Sequence, residues 1–454
     1  MKGDFSRDSF DLVKHFSRVL QQQGRVQLDA DWNEQAAILL HYLRTLAADL
    51  LGPFAGPEGS SGFGITTSPQ GGFRIGKGRY YVDGILCENE QENMTYMTQK
   101  DFPTPPTLPT GASYLVYLDV WERHITALED DDIREKALDG PDTATRTKVV
   151  WQVKIDDGQG QPPPFSMTPN DVRGNWATWI ARWQSPHRGC LRARVERPED
   201  SQDPCLTAPD AKYRGQENQL YRVEIHQGGI AGEATFKWSR DNGMVASRVT
   251  LSGTDLIAEK PLGFADGVWV ELSNDGQELR GQPGTLVKLL KVEGERLTLE
   301  QAVSPPAGMP YGEAWPTKAR RWDQQLLKDG AVPVQEGTQE ADWIELENGI
   351  QLQFLPAHNT EGDQNRYRTG DYWLIPARVA TCNIVWPVEN EIIPQAPCGI
   401  QHHYAPLAIL GTNGPVDCRC ELPPLNTCKL LSFGEDGIGG RPLCDATNPS
   451  MPDA

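Results

Sequence analysis

The sequence predicts a mainly β protein, built of several small β-sandwich-like or barrel-like domains that follow an N-terminal helical arm. The 454 residues include 44 glycines and 35 prolines with no repeat period, which indicates many tight turns between short strands. Strand-like runs recur from residue 79 to residue 379, whereas helical spacing is concentrated in the first 52 residues. A chain of this length is too long for one core, so we expect two to four domains.

The charge balance limits the kinds of partner. The formal net charge is −19, which disfavours nucleic acid and anionic membrane surfaces, since both attract basic proteins. No run approaches the roughly 20 apolar residues that cross a bilayer, and residues 1–16 lack the apolar stretch of a secretory signal. We therefore expect folding in the cytoplasm, no direct membrane insertion, and mostly reduced thiols among the nine cysteines.

The arm, residues 1–52, begins with a predicted helix. Residues 9–23 place apolar side chains at helical spacing, and Gly24 follows as a stop. A short strand-like stretch at residues 25–30 separates this helix from the next one.

The second helix has the stronger pattern. Asp29 or Asp31 would cap it, and Gly52-Pro53 would end it. Its apolar residues step by 4, 3, 4, 3 and 4 positions, which is a short heptad seam. The seam consists of Trp32, Ala36, Leu39, Leu43, Leu46 and Leu50.

Two interpretations of this seam are open. It packs on the core of its own domain, which Leu40, Ala47 and Leu51 favour by widening the apolar face, or it packs against copies of itself. For the second interpretation, the interface candidates are Trp32, Leu39, Leu43, Leu46 and Leu50.

Strand signals dominate after residue 60. The predicted β elements are a hairpin at 79–88 around Asp83-Gly84, a buried central strand at 113–125, strands at 147–155, 191–196 and 218–226, a second hairpin at 234–250, a compact barrel-like or sandwich-like unit at 268–300 with a turn at Asn274-Asp275-Gly276, and strands at 343–354 and 371–379.

These elements suggest a division into six parts. They are 1–52 as the helical arm for docking or oligomerisation, 53–160 as a β domain with the central strand, 161–260 as a continuation of the β core, 261–303 as a small barrel-like unit, 304–412 as a C-terminal β region, and 413–454 as a tail rich in Cys, Pro and Gly. The proline-rich loop at 160–169 is the candidate boundary between the second and third parts.

Known catalytic and ligand-binding motifs identify no site in this sequence. Gly71 to Lys77 matches part of a phosphate-binding loop, but Gly78 stands where Ser or Thr would ligate Mg²⁺, and a hairpin follows instead of a helix. No HExxH, GxSxG or paired CxxC motif occurs. Adjacent residues on a strand point to opposite faces, so His402 and His403 are expected to be structural.

Three further groups leave alternatives open. The cysteines near the C-terminal end, Cys382, Cys398, Cys418, Cys420, Cys428 and Cys444, are expected to be free thiols first, a disulfide-stapled tail second and a zinc site third. The acidic run at 129–132 predicts a solvated loop rather than a calcium loop. The 13 tryptophans pack in cores unless they form an exposed row that binds sugars. We assign no catalytic, cofactor-binding or metal-binding residue.

Long stretches of the chain resemble a bacterial family that carries only a domain-of-unknown-function label. The matching stretches are MKGDFSRDSF (1–10), KHFSRVLQQQGRVQLDADWNEQ (14–35), DVWERHITALEDDDIREKALDGPDTATRTKVVWQVK (119–154), YRVEIH (221–226), ATFKWSRDNG (234–243) and YRTGDYWLIPAR (367–378). The resemblance implies a neighbourhood of phage-tail-like contractile injection systems, and the hairpin at 79–88 also resembles a segment of phage tail and baseplate proteins. It implies no catalytic residues.

The expected function is that of a non-enzymatic structural or adaptor subunit of a contractile injection particle, in the baseplate, its periphery or a fibre. Its partners would be other subunits and further copies of itself, with a trimer favoured, and the particle would be released or docked at a membrane. The alternatives are a cargo enzyme or toxin, marked by ionisable residues in one deep pocket, and a carbohydrate-binding or surface-binding module.

Overall fold

A computed structural model describes residues 1–69, 71–110, 113–138, 140, 142–158, 167–184, 188–195, 213–310, 312–324, 330–357 and 364–423. Strands hold 38% of the chain and helices 15%, and a helix lies near the N-terminal end. The predicted mainly β fold class, with barrel-like parts and an N-terminal helical arm, is therefore confirmed.

The α-helices of the described residues are α1 Asp29–Leu51, α2 Pro169–Gly174, α3 Trp176–Trp183 and α4 Asp275–Leu279. Single 3₁₀ turns occur at Leu12–Lys14, Tyr96–Thr98, Asp131–Ile133, Lys136–Leu138 and Glu340–Asp342. None of the described helices combines the length and hydropathy that a membrane-spanning segment requires.

The strands of the first half are β1 Phe54–Pro57, β2 Ile65–Thr67, β3 Phe73–Ile75, β4 Gly78–Val82, β5 Ile85–Asn89, β6 Tyr114–Ile125, β7 Arg146–Asp156, β8 Cys190–Val195, β9 Gln219–Gln227, β10 Thr235–Ser239, β11 Ala246–Ser252 and β12 Asp255–Ala258. The strands of the second half are β13 Trp269–Ser273, β14 Thr285–Glu293, β15 Arg296–Leu299, β16 Lys318–Trp322, β17 Val332–Pro333, β18 Ile344–Glu345, β19 Ile350–Leu355, β20 Tyr372–Arg378, β21 Asn383–Ile384, β22 His403–Gly411, β23 Gly414–Asp417 and β24 Glu421–Leu422.

The first hydrophobic core joins the early strands to the last ones. One sheet has the order β24-β1-β4-β5 and another the order β23-β22-β6-β7, and α2 and α3 pack beside them. Strand β6 is central, as predicted, because it pairs with β7 over its length and with β22 on the other side. The chain therefore leaves this core after α3 and returns to it at β22.

The second core and the barrel fill the interval. The sheets β17-β10-β9-β20-β21 and β18-β19-β8 enclose the second core. Strands β11, β12, β15, β14, β13 and β16 close a barrel, whose apolar interior is the third core. The barrel lies between β10 and β17 in the sequence, so the three cores are nested along the chain. The predicted domain boundaries at 52, 160, 260, 303 and 412 stay predictions.

The hairpin at 79–88 is confirmed as β4 and β5. Val82 pairs with Ile85, and the two turn residues have positive φ angles, 46° at Asp83 and 76° at Gly84. A Cβ atom at Gly84 would lie 2.2 Å from the carbonyl oxygen of Arg44 in α1, so the turn needs glycine for its backbone angle and for contact with the helix.

The predicted helix at 9–23 is wrong. Only the 3₁₀ turn Leu12–Lys14 forms there, and the stretch 25–30 contains no strand before α1 begins. The apolar residues Leu12, Val13, Phe16 and Leu20 are exposed, so no packing supports a helix that would be marginal by itself. The prediction that Asp29 or Asp31 caps the second helix is also wrong, because Leu28 is the N-cap residue and both carboxylates lie in the first turn.

Two predicted turns have another structure. Residues 234–250 do not form a hairpin, because β10 pairs with β9 and β17 whereas β11 pairs with β12 and β16. The tight turn at Asn242-Gly243 leads the chain from the second core into the barrel. At Asn274, the side chain accepts a hydrogen bond from the Gln277 amide and starts helix α4 rather than a hairpin turn. Most of the proline-rich loop, and residues 424–454 of the tail, lie outside the described residues.

Candidate functional site

Helix α1 contacts the rest of the protein through a few of its residues. Ala30 and Ile38 are its buried side chains. Arg44 forms a bidentate ion pair with Glu122 on β6, with nitrogen–oxygen distances of 2.7 and 2.8 Å. The Arg44 carbonyl lies against the β4–β5 turn at Gly84. These contacts fix the helix to the first core without the large apolar side chains of the seam.

The apolar seam of α1 faces away from the protein. The exposed fractions of the five interface candidates are 77% for Trp32, 55% for Leu39, 64% for Leu43, 57% for Leu46 and 58% for Leu50. Leu40 and Tyr42 beside them are exposed as well. The seam therefore does not cover the core of its own chain, and its use as an interface stays a prediction.

The segment before the helix is equally open. Its exposed apolar residues are Leu12, Val13, Phe16, Leu20, Val26 and Leu28. Side chains of α1 hold this part of the chain at a few points: the amide of Val19 donates to Gln35 Oε1 at 2.8 Å, and Ser9 Oγ donates to Glu34 Oε2 at 2.6 Å. The arm thus presents two exposed apolar surfaces, one on this segment and one on α1.

A second candidate site is a charged junction where the second core, the barrel and the first residues of the chain meet. It consists of Lys2, Arg222, Glu224, Lys237 and Glu271. The Lys237 ammonium lies 2.5 Å from Glu271 and 3.3 Å from Glu224, which also binds Lys2 at 3.0 Å and Arg222 at 2.6 Å. A cavity of about 440 Å³ borders all five side chains.

Beside the charged junction lies a second cluster, the Lys318 cluster. The ammonium of Lys318 is 2.5 Å from Glu129, 2.6 Å from Asp275 and 3.1 Å from Glu278. Arg123 binds the last two carboxylates at 2.6 and 2.7 Å. The three carboxylates lie within 4.8 Å of one another, a spacing that could hold a metal ion, but here they surround the lysine ammonium.

Burial and neighbouring charges together fix the charge states of these ionisable groups. Burial alone would raise the pKa of Glu224, but Lys2, Arg222 and Lys237 hold it far below its usual range. Burial alone would also raise the pKa of Glu278, but Lys318 and Arg123 lower it to about 2. Burial, with nearby cations including Arg320, lowers the pKa of His124 to about 3. None of Glu224, Glu278 and His124 can exchange a proton near neutral pH, so this arrangement suits a salt-bridged joint better than acid–base catalysis.

Sequence reasoning missed the charged junction. In β9, Arg222 and Glu224 alternate with Tyr221, Val223 and Ile225, a pattern that usually means one buried and one solvated face. Here both faces are buried, because the apolar face covers the second core and the charged face meets the barrel. The sequence feature that could have revealed the charged junction is the density of opposite charges in strands β9 and β10.

The remaining candidates have structural environments. His402 Nδ1 lies 2.7 Å from Asp119, and His403 Nδ1 lies 2.8 Å from Asp83, so each histidine pairs with its own carboxylate. The described cysteines are unpaired thiols, at Cys87, Cys190, Cys382, Cys398, Cys418 and Cys420. Cys428 and Cys444 lie outside the described residues.

Two expectations about exposure need correction. Glu129, the first residue of the acidic run, is not solvated but buried beside Lys318, because it supplies a counter-charge to the barrel. Trp32 is the tryptophan that stands out as exposed, while Trp121, Trp238, Trp269 and Trp373 are buried. An exposed row of tryptophans is therefore not found in the described part of the chain.

The chain belongs to a family of unknown function, DUF6519, whose sequence model matches residues 1–162 and 179–448. A search of the curated proteins and a search of the solved structures each found no match. The family membership covers both candidate sites, the arm and the charged junction, and assigns an activity to neither.

Proposed function

We propose that this member of the family is a structural or adaptor subunit of a larger assembly, which works through protein–protein contacts made by its arm. The observation that carries the proposal is the exposed apolar seam of α1. Soluble monomers rarely expose large contiguous apolar patches, and such patches commonly mark interaction surfaces. Full burial of one leucine side chain stabilises by about 1.5–3 kcal/mol, so burying the four seam leucines would give substantial affinity.

The spacing of the seam supports a second copy as the partner. The 3.5-residue repeat of Leu39, Leu43, Leu46 and Leu50 is that of helices that pack against one another lengthwise. Leu40 and Ala47 lie next to the seam and widen it beyond the strip that a pair of helices needs. A homo-oligomer, with a trimer favoured, accommodates this wider face.

We further propose a contractile injection particle as the assembly, with the protein in its baseplate, periphery or fibre. The resemblance in sequence supports this setting, and the acidic, strand-rich chain suits it. The protein would act there without an enzymatic reaction, as a joint between other subunits.

One observation favours a different role, that of a cargo enzyme. The charged junction gathers ionisable side chains beside a cavity of about 440 Å³, which is the size of a small-molecule site. The cations and carboxylates of the charged junction nevertheless pair with one another, and the pKa of Glu224 is far below neutral. We therefore favour the structural role.

The test is the solution mass of the full chain and of the Leu46→Asp variant, measured by light scattering. A charge at Leu46 should dissociate a homo-oligomer, because three carboxylates would meet in a dry seam. Leu43→Asp should do the same, but Leu43 also borders a neighbouring groove, so Leu46 isolates the seam.

The matched control is Leu262→Asp, which places the same charge at a leucine that is 84% exposed on the barrel side of the molecule. Its mass should equal that of the unmodified protein. An unmodified protein that is monomeric, or a Leu46→Asp variant that associates normally, would refute the self-association.

A further inference from the structure

A groove lies between helix α1 and strand β5, and we call it the edge groove. Its volume is about 700 Å³. The residues that give it an apolar lining are Leu40, Leu43, Ala47, Leu86, Met94, Val149 and Trp151. Strand β5 is the last strand of its sheet, so one of its edges faces the groove without a partner strand.

The backbone of β5 is oriented to accept another strand. Val82 and Ile85 flank a two-residue turn, so they form a hydrogen-bonded pair, and the alternation of antiparallel pairs turns the groups of Leu86 and Glu88 away from β4. The Glu88 carbonyl accepts the indole N–H of Trp151 at 2.9 Å, which agrees with this direction. The amides of Leu86 and Glu88 and the Leu86 carbonyl remain for an added strand.

The strand edge that faces the groove is acidic. Residues 85–93 contain Glu88, Glu90 and Glu92 and no basic residue, and the first two border the groove. Three cations also line the groove, but Arg44 pairs with Glu122 and Lys148 pairs with Asp101, which leaves Lys100. A segment of opposite charge exists in the same chain. Residues 12–28, which we call the basic segment, contain Lys14, Arg18 and Arg25 and no acidic residue, although the whole chain has a net charge of −19.

The basic segment also matches the groove in apolar character. Val26 and Leu28 alternate with Arg25 and Gln27, which is a strand pattern, yet the stretch is not in a strand here and Val26 is 83% exposed. In its own chain the segment is held at Gln35, about 12 Å along the helix axis from Leu43. It leaves the groove of its own chain open.

We propose that the basic segment of one copy docks in the edge groove of a second copy, where residues 25–28 add a strand to β5. Leucine and valine side chains of the segment would cover the apolar lining, and its three cations would meet Glu88 and Glu90. This inference rests on the proposed self-association and names a second contact between copies, which adjoins the seam of α1 because Leu43 belongs to both.

Charge reversal tests the contact in the full chain by sedimentation. Glu88→Lys with Glu90→Lys, and separately Lys14→Glu with Arg18→Glu and Arg25→Glu, should each weaken association about tenfold or more, since attraction becomes repulsion. An equimolar mixture of the two variants should associate more tightly than either variant alone, because a reversed segment then meets a reversed groove. The control, Glu58→Lys with Glu300→Lys, makes the same charge change at exposed sites outside the groove and should have no effect.

The mixture separates contacts between copies from contacts within one. Normal association of either variant would overturn the proposal. So would rescue that occurs only when one chain carries all five changes, because that result means the segment binds its own groove.

A labelled peptide of residues 12–28 distinguishes this inference from the proposed seam. It should bind the full chain, bind the Leu46→Asp variant equally well, and lose at least tenfold in affinity for Glu88→Lys with Glu90→Lys. If the peptide binds and the unmodified protein is a monomer, the groove contact is supported and self-association through the seam is refuted. Failure to bind would overturn the groove even if the protein is an oligomer.

Discussion

Replacing Lys318 by methionine would remove the cation at the centre of the Lys318 cluster. The lysine side chain is 5% exposed, and it is the ion-pair partner of Glu129, which is 8% exposed. Methionine keeps most of the length of the side chain and its apolar stem, so the substitution removes the charge with little change in packing. Arg123 would remain beside Asp275 and Glu278.

The magnitude follows from burial. Breaking a buried ion pair by removing one partner costs about 3–5 kcal/mol, because a buried charge is left unpaired. Asp275 and Glu278 are 52% and 37% exposed and keep Arg123, so each adds a smaller share than Glu129 does. Glu129 also keeps hydrogen bonds from the amide and hydroxyl of Thr126. We therefore expect a loss near the lower limit, about 3 kcal/mol.

Urea unfolding followed by tryptophan fluorescence at pH 7 measures this loss. Lys291→Met is the control, because Lys291 pairs with Glu293 at the surface, where both side chains are 57% exposed. Its effect on stability should be much smaller, because solvent screens an exposed ion pair. Millimolar Ca²⁺ should stabilise Lys318→Met more than the unmodified protein, since the three carboxylates would then accept a metal ion in place of the ammonium.

The pH dependence provides a second check. The pKa of Glu278 is lowered from 4.5 to about 2, so its ion pairs stabilise the fold above pH 4.5 and this contribution is lost as the pH falls towards 2. The difference between Lys318→Met and the unmodified protein should therefore be largest near neutral pH and shrink below pH 4.5. A loss under about 1 kcal/mol at pH 7, or a difference that grows in acid, would show that Lys318 does not neutralise a buried cluster.

Two further changes test the junctions of the fold. Gly84→Ala should destabilise the protein and make α1 more susceptible to limited proteolysis, because the new Cβ atom meets the Arg44 carbonyl. The control is Gly253→Ala, at a φ of 67° with open space around it, which measures the cost of the backbone angle alone, about 1–2 kcal/mol. Equal losses of stability for the two variants would contradict the clash. Glu224→Gln should cost about 3–5 kcal/mol in urea unfolding at pH 7, since Lys2, Arg222 and Lys237 lose a buried counter-charge. Below pH 4.5 the unmodified protein loses stability as it protonates a carboxylate whose pKa is lowered, and the variant should lose less. An equal loss of stability in acid for both proteins would exclude Glu224 as its source.

Local pattern was sufficient where the local sequence supplies the whole physical reason for an element. The turn at Asp83-Gly84 needs two positive φ angles, and only a few residue types adopt them readily, so the hairpin could be predicted from a few residues. The long apolar run at 113–125 could likewise be assigned to a buried strand, which is now β6. The heptad spacing from Trp32 to Leu50 correctly placed a helix.

Pattern was insufficient where the outcome depends on a distant surface. The spacing at 9–23 fits a helix, but its apolar residues Leu12, Val13, Phe16 and Leu20 stay exposed, and a short helix without packing is marginal in water. A hairpin was predicted at 234–250, but the sequence there could not distinguish a hairpin from a crossing into the barrel, since the partners of β10 and β11 lie up to 98 residues away at β17 and 74 residues away at β16.

The sequence by itself determined the fold class, the central strand, the first hairpin and the position of helix α1, because each of these follows from residues close together in the chain. Only the tertiary structure decided which side of α1 faces solvent, that the barrel is inserted in the sequence between two strands of the second core, and that Glu224, Lys237 and Lys318 are buried among opposite charges. The physical reason is that periodicity identifies an apolar or charged face but not its partner, and the partner is contributed by strands that are distant in the chain.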